Sequence, residues 1–448
     1  MRLTKVSLAA IATAAALALS ACGGGSSSSA SGAAVNGSGK SLDVLVGTKS
    51  DAPAQQKQWM SDIASKFKQQ TGADLKFETA SSADEELTKL QTSAVSGQGP
   101  DVYELGTTMT PTAYATGSFL TLTADDWKKI GGKDRFNQAA LGISGPDQSH
   151  LIGIPFSSAP YVMAYNKEML KAAGIDKPAT TWDGLAEQAK KLTDPAKGQY
   201  GMAIAYKDNY DPWKYIWDMA AQAGNTMVDG KTAKIDDPTV KSAYQTYFGW
   251  LTKDKVVNPA SVGWSNSQAL ADFASGRDAY FLMTSSDSMP TLDKSPIAGK
   301  WDYALMPTTA GAQAASSSSS PVASILSGDN LMVANYSKNR DLALAYINLV
   351  TSKDEQLNYQ KIFGDLPTNA DALAALGSAP HMAALTQAAK ESQATPFTGA
   401  WGDIEVGLLN VVVQSIPDLA SGGVSDSSLM SRIKDAQSKS QQSLARTK

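Results

Sequence analysis

The chain has 448 residues, 42% hydrophobic and 18% charged, with a formal net charge of −4. That length exceeds the roughly 250–300 residues at which a single core stops growing, so more than one domain is expected. The mild negative charge and the lack of any basic block exclude a nucleic-acid binder, and one cysteine with two histidines leaves no internal disulfide, no cysteine zinc site and little basis for a histidine-dependent hydrolase.

The predicted elements begin with a leader. Arg2 and Lys5 precede an almost wholly apolar run from Val6 to Ala18. The run is shorter than the roughly 20 residues needed to span a bilayer and has the dimensions of a signal-peptide core. It ends in Leu19-Ser20-Ala21-Cys22, which resembles the lipobox of bacterial lipoproteins. That resemblance implies cleavage after residues 1–21 and a lipid on Cys22. The chain would then sit at the outer face of the cytoplasmic membrane. Residues 22–40 are rich in Gly, Ser and Ala and read as a flexible tether.

Strand and helix patterns then alternate. A strand is expected at 42–46, a helix at 55–70 with Trp59, Ile63 and Phe67 on one face, and a strand at 73–79. A helix follows at 84–95 and a strand at 101–105. This β-α-β-α-β opening predicts a parallel sheet covered on both faces. Further strands are expected at 151–155, 160–166, 279–283, 301–305 and 331–333. Further helices are expected at 167–173, 181–192, 237–251, 267–274 and 341–349. Residues 310–324, with an unbroken Ser316–Ser320 run, read as a surface loop.

From about residue 42 to 435 the chain resembles the sugar-type extracellular solute-binding proteins of bacterial ABC importers. The resemblance rests on Gly153-Ile154-Pro155, Tyr165-Asn166-Lys167, Ala173-Gly174-Ile175, Thr181-Trp182-Asp183 and Ala189-Lys190-Lys191-Leu192, in that order. Gly99-Pro100-Asp101-Val102, Phe273 to Ala279 and Gly364-Asp365-Leu366-Pro367 support it. It implies an α/β fold: a two-lobed clamshell, each lobe a mainly parallel sheet flanked by helices, with three crossings between lobes. By position the crossings fall near 157–162, 284–287 and 325–331. The lobes would then be 41–158 with 286–327, and 159–285 with 328–448.

A saccharide presents hydroxyls and weakly apolar C–H faces, so its receptor needs planar polar side chains and flat aromatics. Asp101 and Tyr103 sit on the third strand, whose end points at the expected cleft. Lys49 and Ser50 follow the first. Tyr161 falls at the first crossing, Ser285 and Asp287 at the second, and Gly328, Asp329 and Asn330 at the third. Trp213 and Trp217, at i and i+4, share one helix face. Trp264 follows no obvious core pattern, and Trp401 stands near two glycines. Some have structural alternatives: a helix-capping or structural role after Pro100 for Asp101, ordinary loop exposure for Lys49 and Ser50, and core packing for Trp213 and Trp217. Trp59, Trp127, Trp182, Trp250 and Trp301 read as core.

The resemblance implies a binding protein without catalysis and without a cofactor. It would capture a mono- or oligosaccharide, dock as a monomer on membrane permease subunits, and be held by its lipid. Two other readings remain: the same fold serving a non-sugar solute, and an exported glycosidase built on a carboxylate pair.

Overall fold

The computed structural model describes residues 35–312, 321–377 and 379–447. The leader, Cys22, most of the tether and the Ser316–Ser320 run lie outside the described residues. Among the described residues there are twelve strands: β1 (Ser41–Gly47), β2 (Asp74–Ala80), β3 (Val102–Gly106), β4 (Gly153–Pro160), β5 (Val162–Asn166), β6 (Tyr200–Ala203), β7 (Val228–Asp229), β8 (Thr232–Ala233), β9 (Asp278–Thr284), β10 (Trp301–Leu305), β11 (Leu326–Val333) and β12 (Leu366–Pro367). They form a six-stranded sheet in the order β12-β4-β11-β3-β1-β2, a four-stranded sheet β10-β5-β9-β6 and the small hairpin β7-β8.

Local sequence explains the opening of the first lobe. In β1, Leu42, Val44, Leu45 and Val46 are all buried. The helix Pro53–Thr71 starts on proline, whose fixed φ suits the first turn, and ends where Gly72 takes φ 76° and returns its N–H to the Lys68 carbonyl. Its Trp59, Ile63 and Phe67 lie one helical turn apart and pack with Val44 and Leu331. The helix Ala83–Ser96 is capped by the Ser82 side chain, which accepts from the Glu85 N–H, and carries Asp84, Glu85 and Glu86 in its first turn. Negative charge there is favoured by the helix dipole.

A second core surrounds the four-stranded sheet. Trp182, Trp213, Trp217, Trp250 and Trp401 are its largest members, with Met202 and Tyr280 from the strands. The five tryptophans expected in cores are all buried.

The two-lobed α/β class agrees with the sequence, but strand direction departs from it. β1 runs parallel to β2 and β3, and β6 parallel to β9, whereas β11 is antiparallel to β3 and β4, and β5 antiparallel to β9 and β10. The first sheet is mixed because β11 returns to it reversed after the crossing, and the second because β5 runs opposite to the parallel pair β6 and β9.

The crossings also shift. Tyr161 alone separates β4 in the first sheet from β5 in the second. After β9 the chain re-enters the same sheet at β10, so 284–287 is a boundary segment and not a crossing. The second crossing comes where Ile325, in the second core, hands over to β11 in the first sheet. The third separates the helix Ala370–Leu376, beside β12, from the helix Met382–Glu391, beside β10. Residues 301–305 therefore belong with the second sheet and 326–333 with the first, the reverse of the lobe division expected from position. The cause is that 284–287 is not a crossing: counting it as one places every later segment in the opposite lobe until the third true crossing.

Candidate functional site

A cavity of about 250 Å³ lies between the two sheets. That is just under the roughly 300–1,000 Å³ typical of ligand pockets, which suits a small solute. Four carboxylates reach it from the first lobe (Asp51, Glu86, Asp329 and Asp365) and four from the second (Asp208, Asp211, Asp287 and Glu405). Lys49 and Lys214 are the cationic side chains among the lining residues, and hydroxyls of Thr108, Ser267 and Ser285 are interspersed.

Tyr161 sits at the first crossing. Lys214 donates to its phenol oxygen at 2.6 Å and to Asp211 Oδ1 at 2.5 Å. The same ammonium lies 4.6 Å from the Tyr161 ring centroid, within reach of a cation–π contact. Asp211 Oδ2 accepts from the Asn266 amide at 2.6 Å. Burial alone would lower the Lys214 pKa, but Asp211 and Tyr161 outweigh it and hold the ammonium charged. On the opposite wall Lys49 donates to Asp365 at 2.8 Å.

The remaining carboxylates are less well matched. Burial pushes Glu86 up to about 8, aided by the charges of Asp329 and Glu405. Asp287 is pushed up to about 7 by burial and then by Asp365 and Asp51. Glu405 is pushed up to about 7 by burial, against the opposing pull of Thr108, Lys214 and Trp401. Its Oε2 has no hydrogen-bond partner.

The cavity is closed by contacts between lobes. The Tyr210 hydroxyl reaches across to the Ala80 carbonyl at 3.3 Å and to Glu86 Oε1 at 3.4 Å. Ser50 Oγ and Ser267 Oγ are 3.1 Å apart.

Of the sequence candidates, Tyr161, Ser285, Asp287 and Gly328 line this cavity, as do Lys49 and Ser50. Gly328 has a second reason to be glycine: a Cβ there would stand 2.2 Å from the Ser157 carbonyl oxygen, so β11 and β4 require its absence. The others lie elsewhere. Asp101 accepts from the Asp43 N–H and the Ser337 hydroxyl, tying strand ends together. Tyr103 is buried against Phe119, its hydroxyl 2.8 Å from that of Tyr336. Asn330 is wholly buried and bonded to Ser144 and Thr110. Trp213, Trp217 and Trp401 are fully buried in the second core, with Trp213 edge-on to Trp401 at 6.1 Å. Trp264 is half-buried against the cluster around Phe273, two residues short of the cleft-lining Asn266.

Several lining residues escaped the sequence reading although their neighbours were chosen. Asp211 and Lys214 flank Trp213. On a helix buried all round, the i and i+4 tryptophans share the core side, while Lys214, about 100° further on, faces the cleft. Asp329, which the sequence places with Gly328 and Asn330 at the third expected crossing, lines the cavity while Asn330 does not, because strand alternation sends successive side chains to opposite faces. Glu86 and Glu405 sit on helices and carried no local signal.

A profile described as bacterial extracellular solute-binding protein matches residues 51–357 of this chain. The diacetylchitobiose binding protein DasA of Streptomyces coelicolor is 25% identical over 351 residues, covering 78% of this chain and 78% of that protein. The sn-glycerol-3-phosphate-binding periplasmic protein UgpB of Escherichia coli K12 is 29% identical over 147 residues, covering 30% and 32%. Among solved structures, an ABC transporter solute-binding protein of Thermotoga lettingae bound with α-D-tagatose aligns with a TM-score of 0.73 at 20% identity, over 90% of this chain and 100% of that one. One from Agrobacterium radiobacter in complex with ribitol aligns with a TM-score of 0.74 at 21% identity, over 91% and 99%. At these identities the structural likeness establishes the fold.

Proposed function

Because the chain belongs to the bacterial extracellular solute-binding protein family, we propose that it is the receptor of an ABC importer for a small saccharide. The solute enters the interlobe cleft, the lobes close on it, and the loaded form docks on membrane permease subunits. The observation that carries this reading is the small interlobe cavity, lined from both sides by carboxylates and hydroxyls suited to sugar hydroxyls. DasA is named for a saccharide, and the two solved relatives hold tagatose and ribitol, so polyhydroxylated ligands recur among proteins of this fold. Coupling follows from population shift: a ligand touching both lobes favours the closed form by its differential affinity.

The receptor has no chemistry of its own and acts as a monomer. It is held at the outer face of the cytoplasmic membrane by a lipid on Cys22, and residues 22–40 act as a leash that keeps it concentrated near its permease. A thermal-shift screen of the purified protein against mono- and disaccharides tests the cargo. A stabilised transition with at least one sugar, and recovery of that sugar unchanged, is expected. A flat response across the panel, or turnover of the sugar, overturns the receptor reading. Cys22→Ala should move the protein from the membrane fraction to the soluble one, and unchanged partitioning would refute the anchor.

A further inference from the structure

We infer that the cleft selects a saccharide bearing a primary ammonium, an amino sugar, over its neutral or N-acylated counterparts. The inference rests on the receptor reading above and narrows its cargo.

Charge accounting in the cavity motivates it. Both lining lysines are already spent: Lys49 pairs with Asp365, and Lys214 with Asp211 and Tyr161. Asp208 accepts from the backbone N–H groups of Tyr210, Asp211 and Asn266. Asp329 accepts from the Ser157 hydroxyl and Asp287 from Ser285. Glu86 has only the long Tyr210 contact. Glu405 is 5% exposed and lines the cavity, with Thr108 and Trp401 beside its carboxyl and no hydrogen bond made by its Oε2. A buried carboxylate oxygen without a donor is costly, so the site is incomplete as it stands.

Closure makes this worse. It sets Glu86 of the first lobe within electrostatic reach of Glu405 of the second, and Asp51 and Asp365 within reach of Asp287. As negative charges these groups oppose closing, so in the ligand-free cleft Glu86, Asp287 and Glu405 are held toward their protonated forms. A cation seated between them reverses the sign and becomes the condition for closure. Neutral hydroxyls can donate to these oxygens, but they leave the net charge in place. An anionic solute would meet carboxylates with no unpaired lysine to receive it.

The cation is organic. Among the described residues no group of His, Cys, Asp and Glu is placed to hold a metal ion. An ammonium supplies three donors at one point, and the cavity offers it carboxylates from both lobes together with hydroxyls. The hydroxyls and amide of Ser50, Thr108, Asn266, Ser267 and Ser285 suit the rest of a sugar ring.

Isothermal titration calorimetry on the full protein tests the proposal with D-glucosamine, N-acetyl-D-glucosamine and D-glucose, and with their β-1,4-linked dimers. At neutral pH and low salt the amine member of a set should bind about ten-fold or more tighter than its neutral partners, equivalent to about 1.4 kcal/mol. That advantage should shrink with added salt. Binding should release protons, read as the dependence of the heat on buffer ionisation enthalpy. Glu405→Gln should reduce the amine preference. Asp51→Asn, at the exposed rim, should do the same if Glu405→Gln fails to fold. Neutral sugars binding as tightly as amines would overturn the ammonium preference and leave the saccharide receptor standing. Binding of 1,4-diaminobutane with no sugar bound would keep ammonium recognition and overturn the saccharide reading. No binding by any probe would overturn both.

Discussion

Ser50 Oγ and Ser267 Oγ meet at 3.1 Å across the mouth of the cleft, one from the segment after β1 and one from the helix Asn266–Ala274 of the other lobe. Hydroxyls in contact mark a pair of side chains near enough to test for a disulfide. In a Cys22→Ser background, so that no other thiol competes, Ser50→Cys with Ser267→Cys should cross-link on oxidation and lock the lobes together. Dissociation of bound ligand should slow by at least about ten-fold, and reduction should restore it. If the oxidised protein releases ligand as quickly as the reduced one, the contact does not report on closure.

A second interlobe contact depends on the absence of a side chain. Gly364 closes the helix Lys353–Phe363 with φ 87°, and a Cβ there would stand 2.3 Å from the Ser286 carbonyl oxygen beside the second lobe's β9. Backbone cannot give way cheaply, so Gly364→Ala should wedge the lobes apart and weaken ligand binding. Small-angle scattering should record a larger radius of gyration with ligand present than for the parent protein. An unchanged radius together with unchanged affinity would show that the lobes do not close through this contact.

Trp217 and Tyr161 separate core from cleft. Trp217 is fully buried in the second core, so Trp217→Ala should cost about 3–5 kcal/mol of stability. Trp217→Phe should lower stability mildly and leave the ligand dissociation constant within about two-fold, since the ring lies away from the cavity. Tyr161→Phe removes an acceptor of Lys214 at the cleft wall and should weaken ligand about five- to ten-fold with little change in urea midpoint. Reversal of the two patterns in a paired titration and denaturation series would place the binding face on the tryptophan side of that helix.

Those contrasts mark what was legible in sequence. Hydrophobic spacing located Trp59, Ile63 and Phe67 on one helix face and bounded β1 to β3 within a residue or two, because burial on a periodic element leaves a local signature. Tyr161, Ser285 and Asp287 could be placed at the cavity from sequence because they adjoin strand ends at the lobe boundary. The aromatic candidates failed for the opposite reason: Trp213, Trp217 and Trp401 are large enough to be worth more in a core than in a cleft. Glu86 and Glu405 were invisible. Each belongs to a helix whose cleft-facing side depends on how two lobes meet, a relation between segments more than 300 residues apart that no window of sequence contains.

The raised carboxylates make stability depend on pH in a definite direction. Glu86 moves from an ordinary 4.5 to about 8 on folding, chiefly through burial, and Asp287 and Glu405 rise to about 7. A carboxyl raised in the folded state holds its proton more tightly there than in the unfolded chain. Its stabilising share is therefore full below the unfolded value and is lost as pH climbs through the folded one. Ligand-free protein should lose stability to urea steadily between about pH 4.5 and 8. Lys49 and Lys214 do not offset this, because both are raised above the ordinary 10.5 and titrate beyond that window. Glu86→Gln removes one of these protons from the balance, so its stability should fall less steeply over the same range, with the largest difference between about pH 6 and 8. Parallel slopes for the variant and the parent would mean that Glu86 is already ionised in the folded cleft, and that Tyr210 and Lys214 screen it better than its burial suggests.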